Sequence, residues 1–96
     1  MLVPVRRIEK RLFKLNEELA RLRRDEELTR GELEMHGHLH DDDLRDAVVS
    51  DAPADRATER QSAKDVARLR GALDDIRAKI ARTERSRDDL LAKLGD

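Results

Sequence analysis

The chain has 96 residues, of which 45% are charged, and Phe13 is its one aromatic residue. Helix-forming Ala, Leu, Glu, Arg and Lys dominate, a composition typical of long helices or coiled coils and unlike that of a globular core built from bulky side chains. The chain has no cysteine, which excludes disulfides and thiolate zinc sites. No apolar run approaches membrane-spanning length, and the N-terminus does not read as a secretory signal. We therefore expect one small cytoplasmic domain over 1–96 that does not associate with membranes.

The charges are unevenly distributed along the chain. Residues 1–24 carry eight Lys/Arg against three Asp/Glu, a net charge of +5, and residues 25–61 carry four against twelve, a net charge of −8. Residues 62–96 return to a net charge of +2. If the two ends fold together, the molecule has a positive stem and a negative tip.

The first helix is predicted from about 4 to 45, with Pro4 suited to its first turn. Apolar residues recur there in alternating steps of three and four, the spacing of a coiled-coil seam. We call these positions the seam of helix 1: Val5, Ile8, Leu12, Leu15, Leu19 and Leu22. The same spacing continues through polar residues towards Leu33. A second apolar stripe, offset from the seam, consists of Leu28, Met35 and Leu39. The offset predicts that the buried face rotates in the acidic region.

Three histidines, His36, His38 and His40, lie in this acidic region. His36 and His40 share one helix face, and imidazole pairs at this spacing can hold zinc or nickel. No cysteine is present and no further ligand is fixed by the fold, so we predict solvent-facing histidines, no metal site and no cofactor.

The acidic segment about 46–52, together with Asp41–Asp43 and Asp55, is predicted to form the tip between the helices. Paired carboxylates carry out acid–base chemistry only in a desolvated cleft, which a two-helix hairpin lacks. The spacing of an EF-hand calcium loop is also absent. The sequence therefore predicts a protein that is not an enzyme.

The second helix is predicted from about 53 to 94, with Ser50 or Asp51 available to cap it and Gly95 at its end. Its seam keeps the same alternating steps: Val66, Leu69, Leu73, Ile76, Ile80, Thr83, Arg87, Leu90 and Leu94. A short connection requires antiparallel packing, so the predicted fold is an all-α, antiparallel two-helix coiled-coil hairpin.

The seam spacing allows paired positions to sum to 88, 95 or 102 and does not settle which. A sum of 88 matches the apolar layers best but leaves Leu90 and Leu94 without a facing residue. A sum of 102 uses both, and we favour it: a long hairpin in which helix 1 runs through Gly37.

Self-association is a further possibility that the sequence leaves open. A two-helix hairpin buries one stripe per helix against a large loss of backbone entropy. Leu2, Phe13 and Leu91 lie off the seam and could face a second copy, giving a four-helix arrangement. Direct nucleic-acid binding is not expected, because the basic residues interleave with acids at helical spacing and no aromatic residue but Phe13 can stack on bases.

The segment Pro53-Ala54-Asp55-Arg56-Ala57 resembles the tip motif of the DksA/TraR family of bacterial transcription regulators. In that family a coiled-coil hairpin carries an Asp-Pro-x-Asp-Arg-Ala tip into the secondary channel of RNA polymerase. The resemblance extends in character over about thirty residues of the second helix. The family's first Asp would fall at Ala52, with Asp51 one residue away, and its zinc-binding end has no counterpart in this cysteine-free chain.

The resemblance implies a non-catalytic transcription regulator whose partner is RNA polymerase. It implies that Asp55 and Ala57 make tip contacts, with Asp51 and Arg56 beside them. The alternative that the sequence leaves open is a structural or adaptor coiled coil, which would associate with itself or with one protein partner.

Overall fold

The computed structural model describes residues 5–95, which form two helices, α1 (Val5–Ser50) and α2 (Pro53–Gly95), and contain no strand. The predicted all-α helical hairpin is confirmed. Helix α1 ends at Ser50, beyond the predicted end near 45, so the connection consists of Asp51 and Ala52 alone. The predicted helix start at Pro4 lies outside the described residues.

The ends of α2 are stabilised by local chemistry. Pro53 is its first residue, where a missing N–H is not needed. Asp55 lies in the first turn and Lys93 in the last, each with the charge that the helix dipole favours at that end. Gly71 lies within the helix, and a Cβ added there would have no atom within 4 Å, so this glycine serves no close packing.

The contacts divide the chain into two compact units. Unit 1 comprises Met1–Glu26 and Asp75–Asp96. Its described core is most of the predicted seam: Ile8, Leu15, Leu19 and Leu22 are buried on α1, and Thr83 is buried on α2 with its hydroxyl donating to the carbonyl of Lys79 at 2.8 Å. The predicted seam is wrong at its ends, where Val5 and Leu94 are 57% and 38% exposed. Arg77 donates to the Glu26 carboxylate across the helices at 3.1 Å. Phe13 and Leu91, which the sequence placed off the seam, are 65% and 47% exposed; Leu2 lies outside the described residues.

Unit 2 comprises Glu27–Asp74 and has a more polar interior. Its buried residues are Ser62, Leu69 and Leu73, all on α2. The half-buried positions of α1 in this unit, apart from Gly37, keep the original seam spacing: Thr29, Leu33, His36, His40, Asp43 and Ala47.

The predicted rotation of the buried face of α1 is wrong. Leu28, Met35 and Leu39 are half or more exposed, and the polar seam positions face α2 in their place. Because the seam of α2 keeps its three-and-four spacing, α1 must keep its own to remain in contact. The imidazole of His40 lies 2.9 Å from the carboxylate of Glu59, so these two polar side chains of the contact are partners.

The pairing register is that of the long hairpin. The cross-helix pairs Glu26–Arg77 in unit 1 and His40–Glu59 in unit 2 have position sums of 103 and 99. Both are closer to the favoured sum of 102 than to 88 or 95. Neither described helix is long and apolar enough to cross a membrane.

Candidate interaction tip

The chain reverses direction through a single residue in the left-handed region. Asp51 has φ of 50°, while its N–H still donates to the carbonyl of Ala47 at 3.0 Å, as in a helical turn. Asp and Asn tolerate this conformation better than most residues, because their short polar side chains bond locally. Helices often end in this way at the residue after their last turn. The geometry allows α2 to follow α1 after only two connecting residues.

Side chains on both sides of the connection are bonded to one another. The hydroxyl of Ser50 donates to the carboxylate of Asp55 and accepts the N–H of Ala52 at 3.3 Å. The guanidinium of Arg56 donates to the carboxylate of Asp51 at 2.8 Å. The carbonyl of Ala52 accepts the N–H of Arg56 at 3.1 Å, which starts the hydrogen-bond ladder of α2. These contacts join the last turn of α1 to the first turn of α2.

The fold brings all four residues predicted for the tip to one end of unit 2. Asp51 is the most open, with its side chain 81% exposed, and the side chain of Arg56 is 50% exposed. Ala57 is exposed, whereas Asp55 is half-buried beside Ser50. The tip therefore presents one open carboxylate, one partly covered carboxylate and a guanidinium within a turn of the connection.

Ser50 is a tip residue whose role the sequence did not identify. The sequence predicts it only as a helix cap, whereas its hydroxyl bridges the backbone at Ala52 and the side chain of Asp55. The sequence gives no signal for this contact. Ser50 and Asp55 are five residues apart, and they meet only because the chain reverses direction at Asp51.

The other acids near the tip lie on the last turns of α1. Asp41, Asp42 and Asp46 are exposed, and Asp42 pairs with Arg45 one turn later. Asp43 is half-buried on the seam. Such exposed pairs contribute little to stability, so these carboxylates mainly determine the negative potential of unit 2.

The prediction of solvent-facing histidines is wrong for two of the three. His36 and His40 are half-buried on the seam, where a half-polar interior accommodates them and His40 contacts Glu59 on α2, while His38 is exposed. His36 lines an open groove with the following residues: Leu39, Asp43, Thr58, Gln61, Ser62 and Asp65. Among residues 5–95, no three His, Asp or Glu side chains are grouped so that they could hold a metal ion. The His40–Glu59 pair could have been anticipated by continuing the seam spacing through both residues.

Comparison with protein-family models, curated proteins and solved structures finds no match to this chain.

Proposed function

We propose that this protein is a non-catalytic transcription regulator that inserts its acidic hairpin tip into the secondary channel of RNA polymerase. The observation that supports the proposal most directly is the position of Asp55. It lies in the first turn of α2, immediately after the two-residue connection, within the segment that resembles the DksA/TraR tip motif. A residue in the first helical turn after the connection lies at the end of the hairpin that would enter a channel first.

The charge of the molecule supports a protein channel as the destination. Unit 2 carries seven Lys/Arg against twelve Asp/Glu, a net charge of −5, so it is repelled by nucleic-acid phosphates. A channel with basic walls or a bound metal ion attracts it. In a partly desolvated channel, close Coulomb contacts are worth about a few kcal/mol each, well above their value on an open surface.

The tip is also held in shape before any contact is made. Ser50 bonds to Asp55, and Arg56 bonds to Asp51, on either side of the short connection. A preordered tip loses less conformational entropy on binding than a flexible loop does. Ala57 is exposed, and the Asp51 carboxylate keeps most of its surface open beside Arg56, so both can contact the walls of the channel.

Transcription in vitro with the cognate polymerase tests the proposal. We expect the wild-type protein to alter initiation or transcript cleavage. Asp55→Asn should remove that effect, and Asp41→Asn, an equal charge change at an exposed position before the tip, should largely spare it. Asp55→Asn should cost only about 1 kcal/mol of stability, since its contribution at the helix start is of that size. If the wild-type protein neither binds polymerase nor alters any transcript, the proposal fails.

The second candidate function is an adaptor or structural coiled coil. The exposed apolar residues of α1 favour it, because Leu28 and Met35 are 66% and 54% exposed on a helix whose seam lies elsewhere. Apolar side chains at helical spacing outside the seam indicate a contact with another polypeptide. A regulator with this surface would also be able to self-associate.

A further inference from the structure

In unit 2, helix α1 presents a second row of residues with coiled-coil spacing, beside the seam that faces α2. The row, which we call the outer seam, alternates steps of four and three: Leu28, Glu32, Met35, Leu39, Asp42 and Asp46. All six residues are exposed, and the apolar members Leu28, Met35 and Leu39 are 66%, 54% and 50% exposed. Each position is one residue before a seam position, so the outer seam lies about 100° around the helix from the seam.

The row on the far side of the outer seam from α2 is entirely polar or small. It is also exposed throughout, and it consists of Glu27, Gly31, Glu34, His38, Asp41 and Arg45. Three large apolar side chains at coiled-coil spacing on one exposed face, next to a row that has none, indicate a surface that contacts another helix.

An open groove between α1 and α2 lies beside the outer seam. Leu39 belongs to both, and the groove is also lined by Asp43 of α1 and Asp65 of α2. The carboxylate of Asp65 accepts the side-chain amide of Gln61 at 3.2 Å. A helix laid along the outer seam would therefore touch both helices of unit 2, as a third helix does in a bundle.

We infer that the outer seam and the groove beside it bind a basic amphipathic helix of another polypeptide. The apolar residues of the partner pack on Leu28, Met35 and Leu39, and its Lys or Arg side chains pair with the carboxylates among them. Leu28 and Leu39 are about 16 Å apart along the helix axis, so about three turns of the partner cover the apolar residues. This is the helix-in-groove mode of recognition.

Charge complementarity identifies the chemistry of the partner. Three of the six outer-seam residues are acids, two further carboxylates line the groove, and unit 2 as a whole carries a net charge of −5. This surface repels nucleic-acid phosphates and anionic lipid headgroups. A second copy fits the same face less well than a basic helix does, because its own acids would meet these.

The inferred surface goes beyond the proposed function and does not depend on it. The outer seam ends at Asp46, more than one turn before the connection, and includes none of the tip residues. Loss of binding at the outer seam and loss of an effect on transcription at the tip are therefore measured separately.

Calorimetric titration of a defined peptide into the full chain tests the inference. The probe is a synthetic helical peptide of about 18 residues, five turns, with Leu at alternating steps of three and four and Lys on both flanks. We expect it to bind about tenfold or more tightly than a scrambled peptide of the same composition, because only the ordered sequence places its leucines on one face. The same peptide with Glu in place of Lys should not bind measurably.

Matched substitutions in the chain locate the binding surface. Met35→Ser/Leu39→Ser should weaken binding by about tenfold or more, and Asp46→Lys by about threefold or more. The controls are Leu44→Ser and Asp41→Lys, because both residues are exposed but lie about 160° and 140° around α1 from Leu28. Both controls should bind the peptide within about twofold of the wild type. Circular dichroism of each variant separates a lost contact from a lost fold.

Met35 provides a direct reporter of the outer seam in the unaltered chain. The chain has two methionines, Met1 and Met35, so isotope labelling of methionine methyl groups gives a single nuclear magnetic resonance signal from this surface. We expect the Met35 signal to shift as the amphipathic peptide is added, with the midpoint that calorimetry gives.

Three results would overturn the inference. One is equal affinity for the amphipathic and the scrambled peptides. Another is a loss of affinity in the two controls as large as that in the outer-seam variants. The third is a wild-type dimer, measured by sedimentation equilibrium, that Met35→Ser/Leu39→Ser dissociates, since the occupant would then be a second copy.

Discussion

At the tip, two aspartates four residues apart perform different structural tasks. Asp51 provides the left-handed residue that ends α1, and its carboxylate pairs with Arg56. Asp55 occupies the first turn of α2 and accepts the hydroxyl of Ser50. One aspartate therefore makes the reversal possible, and the other fixes the start of the helix that follows.

The backbone of Asp51 leads to a prediction about stability. Asp51→Ala and Asp51→Gly both remove the contact with Arg56, but only glycine enters the left-handed region at little cost. The alanine variant should therefore be less stable than the glycine variant by about 1 kcal/mol. Chemical denaturation followed by circular dichroism measures the difference. Equal stabilities would show that the reversal does not require a positive φ.

Helix α1 changes character along its length. In unit 1 its seam is apolar and buried, with Leu19 only 2% exposed. In unit 2 the same spacing continues through half-buried His36, His40 and Asp43, and most of the large apolar residues lie outside the contact. The first half of the helix therefore contributes most of the hydrophobic stabilisation, and the second half presents most of the acidic and apolar surface.

A matched pair of substitutions tests this assignment of faces. Leu19→Asp places a charge in the buried seam and should unfold unit 1, because an unpaired buried charge costs several kcal/mol. Leu28→Asp introduces the same side chain at a position that is 66% exposed. It should change the free energy of unfolding by about 0.5 kcal/mol or less.

Thermal melting monitored by circular dichroism compares the stabilities of the two variants with that of the wild type. If Leu28→Asp were as destabilising as Leu19→Asp, the buried face would include the offset stripe after all.

The His40–Glu59 contact leads to a further prediction for the seam of unit 2. Both side chains are about three-quarters buried, and the pair occupies positions where a coiled coil ordinarily places apolar residues. The double variant His40→Leu/Glu59→Leu should raise the free energy of unfolding by about 1 kcal/mol or more, since apolar replacements of a buried pair are often stabilising. Each single variant leaves one polar group without its partner and should be less stable than the double. Denaturant titration of the three variants checks this order, and a double variant below wild type would contradict it.

On the scale of the whole molecule, opposite charge in the two units is the dominant feature. Unit 1 carries fourteen Lys/Arg against ten Asp/Glu, a net charge of +4, and unit 2 carries a net charge of −5. The acidic unit carries the tip, so its charge favours a basic surface over nucleic-acid phosphates.

Phe13→Ser tests the self-association that the adaptor alternative includes, because Phe13 lies off the seam. Phe13 is exposed in one copy, so at low protein concentration the substitution should leave the melting temperature almost unchanged. At high concentration the wild type should melt at a higher temperature, because association stabilises the folded form, and the variant should lose most of that gain. Melting curves across a wide concentration range provide the measurement. A wild-type melting temperature that does not vary with concentration would contradict self-association through Phe13.

The sequence by itself determined the two helices, the antiparallel hairpin and the apolar seam of unit 1. These follow from spacing along the chain, and spacing is a local property: steps of three and four place Ile8 to Leu22 on one face whatever lies opposite. The position of the predicted tip residues near the connection followed in the same way, from Pro53 and the acidic segment before it.

Only the tertiary structure decided the register, the face of α1 that is buried in unit 2, and the partners of Ser50 and His40. Each depends on what the other helix presents at that point. Leu28 and Met35 are apolar, yet they remain exposed, because the seam of α2 holds α1 in its original phase and His40 finds Glu59 there. Periodicity identifies the positions that can face a partner, and the partner determines which of them are buried.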